Sequence, residues 1–269
     1  MAKLLYKYMT LESLALILKS RKLRLNPLRK MDDMQEVETA DEFQYANYVF
    51  ISSWMDQPKE VIPMWKLYST TYNGIRLGMK ENPFKKYILT KSDFEKHLSD
   101  TTVAGESMDT VVPIEQYFND GYIILNPQFD KILNDVVYTD DENLLKPVSV
   151  KAQGDKFDVF TGQVGKYKST YWQFQNEKRY ILRFIPINGL DKVNSPQIST
   201  FVYNKLKSND NDFLDYFDLT LDDEAFNSME VSMSPQFTEG NRILLELLKE
   251  KYNPNMIIQE SALKDKIIL

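Results

Sequence analysis

Alternating and helical spacings of apolar residues divide the start of the chain into short elements. Residues 4–8 are typical of a short strand, and residues 11–18 repeat apolar side chains at helical spacing after Thr10, a suitable N-cap. Residues 23–25 form a short strand, and residues 48–54 have the β-rich, continuous character of a buried strand. The pattern therefore predicts the order strand, helix, strand, strand.

The rest of the chain continues this mixture of strands and helices. Pro63 suits the first turn of a short helix, and Asn73-Gly74 predicts a turn before an alternating strand at residues 75–79. Because no regular strand–helix–strand rhythm is present, the pattern favours the α+β class. The remaining predictions are a helix at 85–98, strands at 121–125, 229–233 and 256–259, an element at 171–184, an acidic loop at 208–224, and a helix that begins at Gly240 or Asn241 and ends before Pro254.

Composition excludes several kinds of site chemistry. The chain has 269 residues and no cysteine, which excludes disulfides, cysteine nucleophiles and thiolate metal sites. A single histidine, His97, cannot supply a two-histidine metal site, and it reads as a surface residue of a charged helix. The formal net charge of −6 argues against a protein that coats nucleic acid by charge alone, although it leaves room for a local basic groove.

Two acidic stretches are candidate metal ligands. The stretch at residues 209–212 lacks the glycine that a calcium loop needs at its sixth position, so a solvated acidic loop is the better interpretation. Asp32 and Asp33 are adjacent and point in different directions, which suits capping of a turn or helix. We therefore expect no metal site.

The sequence carries no signal for a membrane. The first residues are interrupted by Lys3 and Lys7 and do not resemble a signal peptide, and no apolar run approaches the about 20 residues that span a bilayer. We therefore expect a cytoplasmic protein without membrane association.

Three separated pieces of sequence form a candidate site when they are taken together. They are Lys7 within a Tyr-Lys-Tyr opening, the pair Ser52-Ser53, and Gln175-x-Glu177. Each piece has a simpler interpretation, since a lysine can lie on an edge strand and serines can end a strand. Glu177 could likewise pair with Arg179, which lies two residues on and on the same face of a strand.

The order of these pieces resembles the ADP-ribosyltransferase superfamily. Lys7 stands where that superfamily usually has Arg, Ser52-Ser53 where its Ser-Thr-Ser motif lies, and Gln175-x-Glu177 matches its Gln-x-Glu form. A closer resemblance covers most of the chain and is to an uncharacterised bacterial family. The shared motifs are Tyr-Lys-Tyr at 6–8, Ser-x-Trp at 52–54, Met-Trp-x-x-Tyr at 64–68, a Gly-hydrophobic-x-Leu-Gly strand at 74–78 and Trp-x-x-Glu-x-Glu-x-Arg at 172–179, with Gln175 in the first Glu place.

The resemblance implies a fold, a substrate and roles for the site residues. It implies one domain over residues 1–269 with a mixed, mostly antiparallel split β-sheet, flanking helices and an insertion at about 81–165. NAD would be the substrate, without a metal. Glu177 would stabilise the positive charge that develops on the ribose, and Gln175 would orient the acceptor. Residues two apart on a strand face the same way, so Gln175 would point into the same cleft as Glu177, unless the site begins on the loop before the strand. The remaining implied NAD-binding residues are Lys7 at the pyrophosphate, Tyr8, Ser52 and Ser53 near the ribose or the carboxylate, and Trp65 and Tyr68, with Trp54, as an aromatic wall for the nicotinamide.

Two classes of function remain open from the sequence. The first is an NAD-dependent ADP-ribosyltransferase that modifies a protein or a nucleic acid, as in a bacterial toxin or an antiviral-defence effector, with NAD hydrolysis as a variant. The second is a non-catalytic module of the same fold that binds a nucleotide, RNA or a protein. Lysine at position 7, glutamine at position 175 and the basic run at residues 19–24 motivate the second class.

Overall fold

The computed structural model describes residues 3–97, 106–153, 156–160, 162–193, 195, 197–208 and 212–269. The strands within these residues are β1 (Leu4–Thr10), β2 (Lys22–Pro27), β3 (Val49–Met55), β4 (Gly74–Lys80), β5 (Tyr87–Thr90), β6 (Ser107–Thr110), β7 (Phe118–Asn119), β8 (Tyr122–Leu125), β9 (Leu133–Asp135), β10 (Val137–Thr139), β11 (Val150–Gln153), β12 (Lys156–Val159), β13 (Tyr167–Ser169), β14 (Glu177–Pro186), β15 (Phe217–Thr220), β16 (Glu230–Met233) and β17 (Ile257–Gln259). The α-helices are α1 (Leu11–Ser20), α2 (Ile62–Tyr68), α3 (Lys91–His97), α4 (Ile114–Tyr117), α5 (Glu142–Leu145), α6 (Gln197–Lys207), α7 (Asp223–Asn227) and α8 (Glu239–Tyr252).

One large open sheet organises the fold. Its main path runs in the order β17-β16-β4-β1-β3-β14-β8-β7, while β2 joins β3, β15 joins β2, and β9 joins β14. Within this sheet the pairs are antiparallel, except that β16 and β17 are parallel. Helices flank the sheet. The structure therefore confirms the α+β class and the mostly antiparallel sheet.

The large sheet opens between β1 and β3. Strand β1 pairs with β4 along its whole length, from Leu4–Lys80 to Thr10–Gly74, but its pairing with β3 is confined to Tyr6 and Met55. Strand β2 pairs with the same edge of β3 closer to its start, at Phe50 and Ile51. The edge of β3 at residues 52–54 therefore lies between two partners and faces an opening.

The strand–helix–strand start of the chain is stabilised by a helix cap and by packing of α1 on the sheet. The Thr10 side chain accepts a hydrogen bond from the Ser13 amide and caps α1, as the sequence predicts. Leu14 and Leu18 of α1 are buried against the sheet together with Leu5 of β1. This packing holds α1 close to the opening between β1 and β3.

Residues 81–165 contribute strands to the large sheet and also form a small separate unit, the satellite, which contains the β5–β6 pair and α3. Strands β7, β8 and β9 extend the main sheet on the β14 side. The predicted helix at 85–98 was wrong in its first half, because β5 pairs with β6 and the Asp93 carboxylate accepts hydrogen bonds from the Thr90 amide and hydroxyl. The helix thus begins at Lys91, and residue 98 lies outside the described residues. A small core of Leu89, Phe94, Ile114 and Phe118 closes this satellite.

The acidic region near residue 215 contains more regular structure than the predicted loop. Phe217 and Leu219 alternate as buried residues of β15, and the Asp222 carboxylate caps α7. Residues 209–211 of the calcium candidate lie outside the described residues. Within the part of the chain that the structure describes, no cluster of His, Asp or Glu could hold a metal ion, and no helix is long and apolar enough to cross a membrane.

Candidate functional site

A cavity of about 650 Å³ occupies the opening between β1 and β3. Eight of the nine site residues named from the sequence line it, and they come from four separate segments of the chain. They are Lys7, Tyr8, Ser52, Ser53, Trp54, Tyr68, Gln175 and Glu177. The cavity volume lies within the about 300–1,000 Å³ of typical ligand pockets.

Trp65 lies apart from these residues. It is fully buried in a small core with Tyr8, Met55 and Met64, where its ring meets the Tyr8 ring edge-on at 4.8 Å. Its indole N–H donates to the Glu60 carboxylate at 3.0 Å. The aromatic wall expected from the sequence therefore does not include Trp65, because α2 turns this residue toward the sheet.

Lys7 spans the opening. Its ammonium donates a hydrogen bond to the Ser53 backbone carbonyl at 2.9 Å and lies 5.9 Å from the centre of the Trp54 ring. The ion pairs among the described residues do not include Lys7. Burial lowers the pKa of Lys7 to about 8, although the charge of Glu177 opposes this shift. Lys7 is therefore a cation with free donor capacity at the cavity.

The two serines of β3 have different environments. The Ser52 hydroxyl accepts a hydrogen bond from the Trp54 indole at 3.1 Å and is buried. Ser53 lies opposite Arg179 in the pairing of β3 with β14, and its hydroxyl hydrogen-bonds the Glu177 carboxylate. Of the two serines, Ser53 is thus the one that contacts the candidate catalytic residue.

Glu177 is held by two cations. Its Oε1 accepts from Arg179 Nε at 2.6 Å, and its Oε2 accepts from Arg179 Nη2 at 3.1 Å and from Lys168 Nζ at 3.4 Å. The pairing of Glu177 with Arg179 on one strand face was one of the interpretations open from the sequence. Burial favours a raised pKa, but Arg179, Lys168 and the hydrogen bonds outweigh it and lower the pKa of Glu177 to about 2. The carboxylate is therefore ionised and fixed in orientation.

A second buried carboxylate, Glu36, contacts the same two cations on the side away from the cavity. Its Oε1 accepts from Arg179 Nη2 at 2.7 Å and from Lys168 Nζ at 3.2 Å. Burial raises the pKa of Glu36, and the charges of Arg179 and Lys168 only partly oppose the shift. Glu36 does not line the cavity, so the two carboxylates share the same cations but only Glu177 faces the opening.

Sequence reasoning did not find Glu36 or Lys168. Neither residue belongs to a recognisable motif, and Glu36 is more than a hundred residues from the cations that it contacts. Their one local signal is weak: Lys168 lies on β13 close before the Gln175-x-Glu177 motif. Long-range packing brings them to the site.

Gln175 reaches the cavity by a different route from the one predicted. Strand β14 begins at Glu177, and Gln175 ends a 3-10 turn at Thr170–Gln175. Asn176 between them has φ 43°, in the left-handed region that asparagine tolerates better than most residues. The expectation that Gln175 and Glu177 share one strand face was therefore wrong, yet both line the cavity, since Gln175 Oε1 accepts from Lys168 at 2.9 Å.

Tyr68 connects Gln175 to Asp32 at the outer part of the cavity. Its hydroxyl donates to Asp32 Oδ2 at 2.5 Å, while Gln175 Nε2 donates to the hydroxyl oxygen at 2.5 Å. Burial, together with the hydrogen bond to Asp32, raises the pKa of Tyr68, so the hydroxyl keeps its proton. Of the two adjacent acids, Asp33 caps the turn at Met34–Val37 as expected, whereas Asp32 belongs to the site.

The lining of the cavity is more cationic than the protein as a whole. Its cations are Lys7, Lys22, Arg24, Lys30, Lys168 and Arg179, and its carboxylates are Asp32, Glu177 and Asp218. The whole chain, by contrast, carries a net charge of −6. Arg24, Lys30, Lys168 and Arg179 pair with carboxylates, so Lys7 and Lys22 are the lining cations outside the ion pairs of the described residues and the ones that suit an anionic ligand.

Two of the four cations in the basic run at residues 19–24 form ion pairs. Arg24 pairs with Asp218 across β2 and β15, and Arg21 pairs with Asp223. Lys30, further along, pairs with Asp215. These cations are therefore poorly placed to form a phosphate-binding strip, which weakens the nucleic-acid interpretation of that run.

The turn before Gln175 presents aromatic side chains to solvent. Tyr171 is 88% exposed and Phe174 38% exposed, and the Trp172 ring stands 4.6 Å from Lys168 Nζ. Exposed aromatic residues next to a cavity suit contact with a large partner molecule.

Comparisons with protein-family models, with curated proteins and with solved structures found no match to this chain.

Proposed function

We propose that this protein is an NAD-dependent ADP-ribosyltransferase that modifies a macromolecule. One observation carries the proposal: Lys7, Ser53, Gln175 and Glu177, from three segments of the chain, line one cavity at the opening of the sheet. The resemblance in motif order implies this convergence. Lys7, which lines the cavity outside the ion pairs of the described residues, also suits a phosphate of NAD.

The proposed reaction uses the chain's own residues for binding and charge stabilisation. The bond between the nicotinamide nitrogen and ribose C1′ breaks, and nicotinamide leaves with the bonding electron pair. The Glu177 carboxylate, ionised because its pKa is about 2, stabilises the positive ribose and accepts a ribose hydroxyl hydrogen bond in place of Ser53. The acceptor nucleophile then bonds to C1′ and loses its proton to solvent.

Lys7 has a binding role in this proposal. Its ammonium keeps one hydrogen bond to the Ser53 carbonyl and offers its remaining N–H donors to a phosphate. Arginine would contact a phosphate with two parallel hydrogen bonds, whereas lysine acts as a point charge. We therefore expect NAD binding to be sensitive to the charge on Lys7.

The exposed aromatic residues support a macromolecular acceptor over water. Tyr171 and Phe174 lie in the turn that leads directly to Gln175 and Glu177. An acceptor bound on this surface would reach the ribose from the Gln175 side. A toxin or antiviral-defence role and a cytoplasmic location are part of this proposal.

A second candidate is a nucleotide-binding module without turnover. It is favoured by the complete hydrogen bonding of Glu177, which Arg179, Lys168 and Ser53 occupy. A carboxylate has about four acceptor positions, so a structural ion pair would use it in the same way.

The test is incubation with NAD labelled in its adenosine part, with and without bacterial lysate and RNA. Wild type is compared with Glu177→Gln and with the matched variant Glu36→Gln. Both variants remove one carboxylate from Arg179 and Lys168, but only Glu177 lines the cavity. We expect Glu177→Gln to lower nicotinamide release by about 100-fold or more and Glu36→Gln by less than about tenfold.

The outcomes separate the two candidates. Label that enters protein or RNA and is lost in folded Glu177→Gln supports the transferase, and nicotinamide release without labelling supports NAD hydrolysis. Tight NAD binding with no nicotinamide release supports the nucleotide-binding module. Equal turnover by wild type and Glu177→Gln would remove Glu177 from the mechanism.

A further inference from the structure

A chain of hydrogen bonds along the cavity wall joins Lys168 to Asp32. Lys168 Nζ donates to Gln175 Oε1, Gln175 Nε2 donates to the Tyr68 hydroxyl oxygen, and the Tyr68 hydroxyl donates to Asp32 Oδ2. All four residues line the cavity, and they come from four segments of the chain. We call this chain the Asp32 relay.

The direction of every hydrogen bond in the Asp32 relay is determined by its two ends. A lysine ammonium only donates, so the amide oxygen of Gln175 must face Lys168. A carboxylate only accepts, so the single proton of Tyr68 must point to Asp32. The hydroxyl oxygen of Tyr68 then has to accept from the amide nitrogen of Gln175.

We propose that Asp32 and Tyr68 are positioning residues that fix the orientation of the Gln175 amide and thereby the polarity that Gln175 presents to the acceptor. This inference rests on the proposed function for its chemical meaning. The amide of Gln175 has one N–H and one oxygen lone pair beyond those used in the relay. The relay determines on which side of the amide each of these is offered.

The Asp32 relay also explains why the residue at position 175 is glutamine. A glutamate there would accept from Lys168, but the one proton of Tyr68 would then serve two carboxylates, Asp32 and position 175. One of them would lose its hydrogen bond, and the two negative charges would repel each other. The negative charge of the relay lies on Asp32, so position 175 has to be neutral.

The test exchanges the charge between the two ends. In Gln175→Glu the two carboxylates compete for Tyr68, and we expect kcat for NAD cleavage to fall by about tenfold or more with KM changed less than about threefold. In Asp32→Asn/Gln175→Glu the new amide donates to Tyr68, whose proton turns to position 175. We expect this double variant to recover the stability lost in Gln175→Glu but to keep a low kcat, because a glutamate at position 175 offers no N–H to the acceptor.

Further variants separate the relay from a general effect of charge. Asp32→Asn keeps an oxygen acceptor for Tyr68 and Asp32→Ala removes it, so Asp32→Ala should lower kcat more than Asp32→Asn does. Gln173→Glu is the matched control, because it adds the same charge to an exposed position of the same turn outside the relay. It should leave kcat and KM as in wild type.

The urea midpoint of unfolding is measured for the same variants and does not depend on NAD chemistry. Gln175→Glu should lower it and Asp32→Asn/Gln175→Glu should restore it. Recovery of the midpoint in a protein whose wild type cleaves no NAD would overturn the proposed function but keep the relay. A double variant with a midpoint no higher than that of Gln175→Glu would overturn the relay itself, and a double variant with wild-type kcat would overturn the role of the amide polarity.

Discussion

The Lys7 ammonium donates a hydrogen bond to the Ser53 carbonyl oxygen across the opening between β1 and β3. In a continuous sheet a backbone N–H of the neighbouring strand would serve this carbonyl. Here the strands have parted, and a side chain takes over. The same geometry puts a half-buried positive charge at the cavity, on the edge of β3 that a ligand can approach.

The first prediction concerns the pH dependence of NAD binding. The pKa of Lys7 is about 8, so the affinity for NAD should fall by up to about tenfold per pH unit above pH 8 as Lys7 loses its charge. In Lys7→Arg the charge persists, and the affinity should stay nearly constant to pH 9.5. Calorimetric titration from pH 7 to 9.5 measures both. A parallel decline in the two proteins would assign the pH effect to another group.

The lowered pKa of Lys7 also predicts that the free energy of unfolding rises with pH, whereas the affinity for NAD falls. The unfolded chain keeps the Lys7 proton up to the ordinary pKa of 10.5, whereas the folded chain releases it at about 8. The free energy of unfolding should therefore rise with pH between these values, and Lys7→Met should lack this rise. Urea unfolding at pH 7.5 and 10 compares the two proteins.

The second prediction concerns the contribution of Glu177 to stability. Glu177→Gln leaves the cations Arg179 and Lys168 with one carboxylate fewer, and we expect a loss of about 3–5 kcal/mol in the free energy of unfolding at pH 7. The pKa of about 2 lies below the ordinary 4.5, so the stabilisation by Glu177 is complete above about pH 4.5 and disappears as the pH falls toward 2.

Urea unfolding at pH 7 and pH 3 measures this contribution. Glu224→Gln is the control, because Glu224 forms an exposed ion pair with Lys80, and such pairs contribute about 0–1 kcal/mol. A loss for Glu177→Gln no larger than that for Glu224→Gln would mean that the buried cluster does not depend on this carboxylate.

The third prediction concerns Asn176, whose φ of 43° sets the relative positions of Gln175 and Glu177. Asn176→Gly should keep stability and NAD turnover near wild type. Asn176→Val should lower the free energy of unfolding by about 1–2 kcal/mol and also reduce kcat, because a β-branched residue resists this conformation.

A matched position distinguishes strain from loss of function. Asn126 also has a positive φ, of 50°, and does not line the cavity. Asn126→Val should therefore lose a similar amount of stability, about 1–2 kcal/mol, without a change in kcat. Equal loss of kcat in both valine variants would attribute the effect to general destabilisation.

The fourth prediction concerns Trp65, which the structure places in the core beside the cavity. Trp65→Phe loses the hydrogen bond to Glu60 and part of the packing with Tyr8, and we expect about 1–3 kcal/mol of destabilisation. The KM for NAD should change by less than about twofold. A much larger rise in KM at unchanged stability would mean that Trp65 contributes to NAD binding.

The sequence by itself determined the elements whose signals are local. The Thr10 cap and the turn before β4 depend on neighbours within a few residues, and the structure confirms them and the strand that follows. The predicted half-buried alternation of β4 was wrong, because six of its seven residues are buried in the middle of the sheet. The sequence also indicated one candidate site formed by Lys7, Ser53, Gln175 and Glu177, since these residues occur in recognisable short motifs. Only the tertiary structure decided which partners these residues have. Glu36, Lys168 and Asp32 approach them through packing of distant segments, and Trp65 is drawn into the core. Spacing along a chain specifies which side chains share a face of one element, but the contacts between elements depend on how the whole sheet opens and packs.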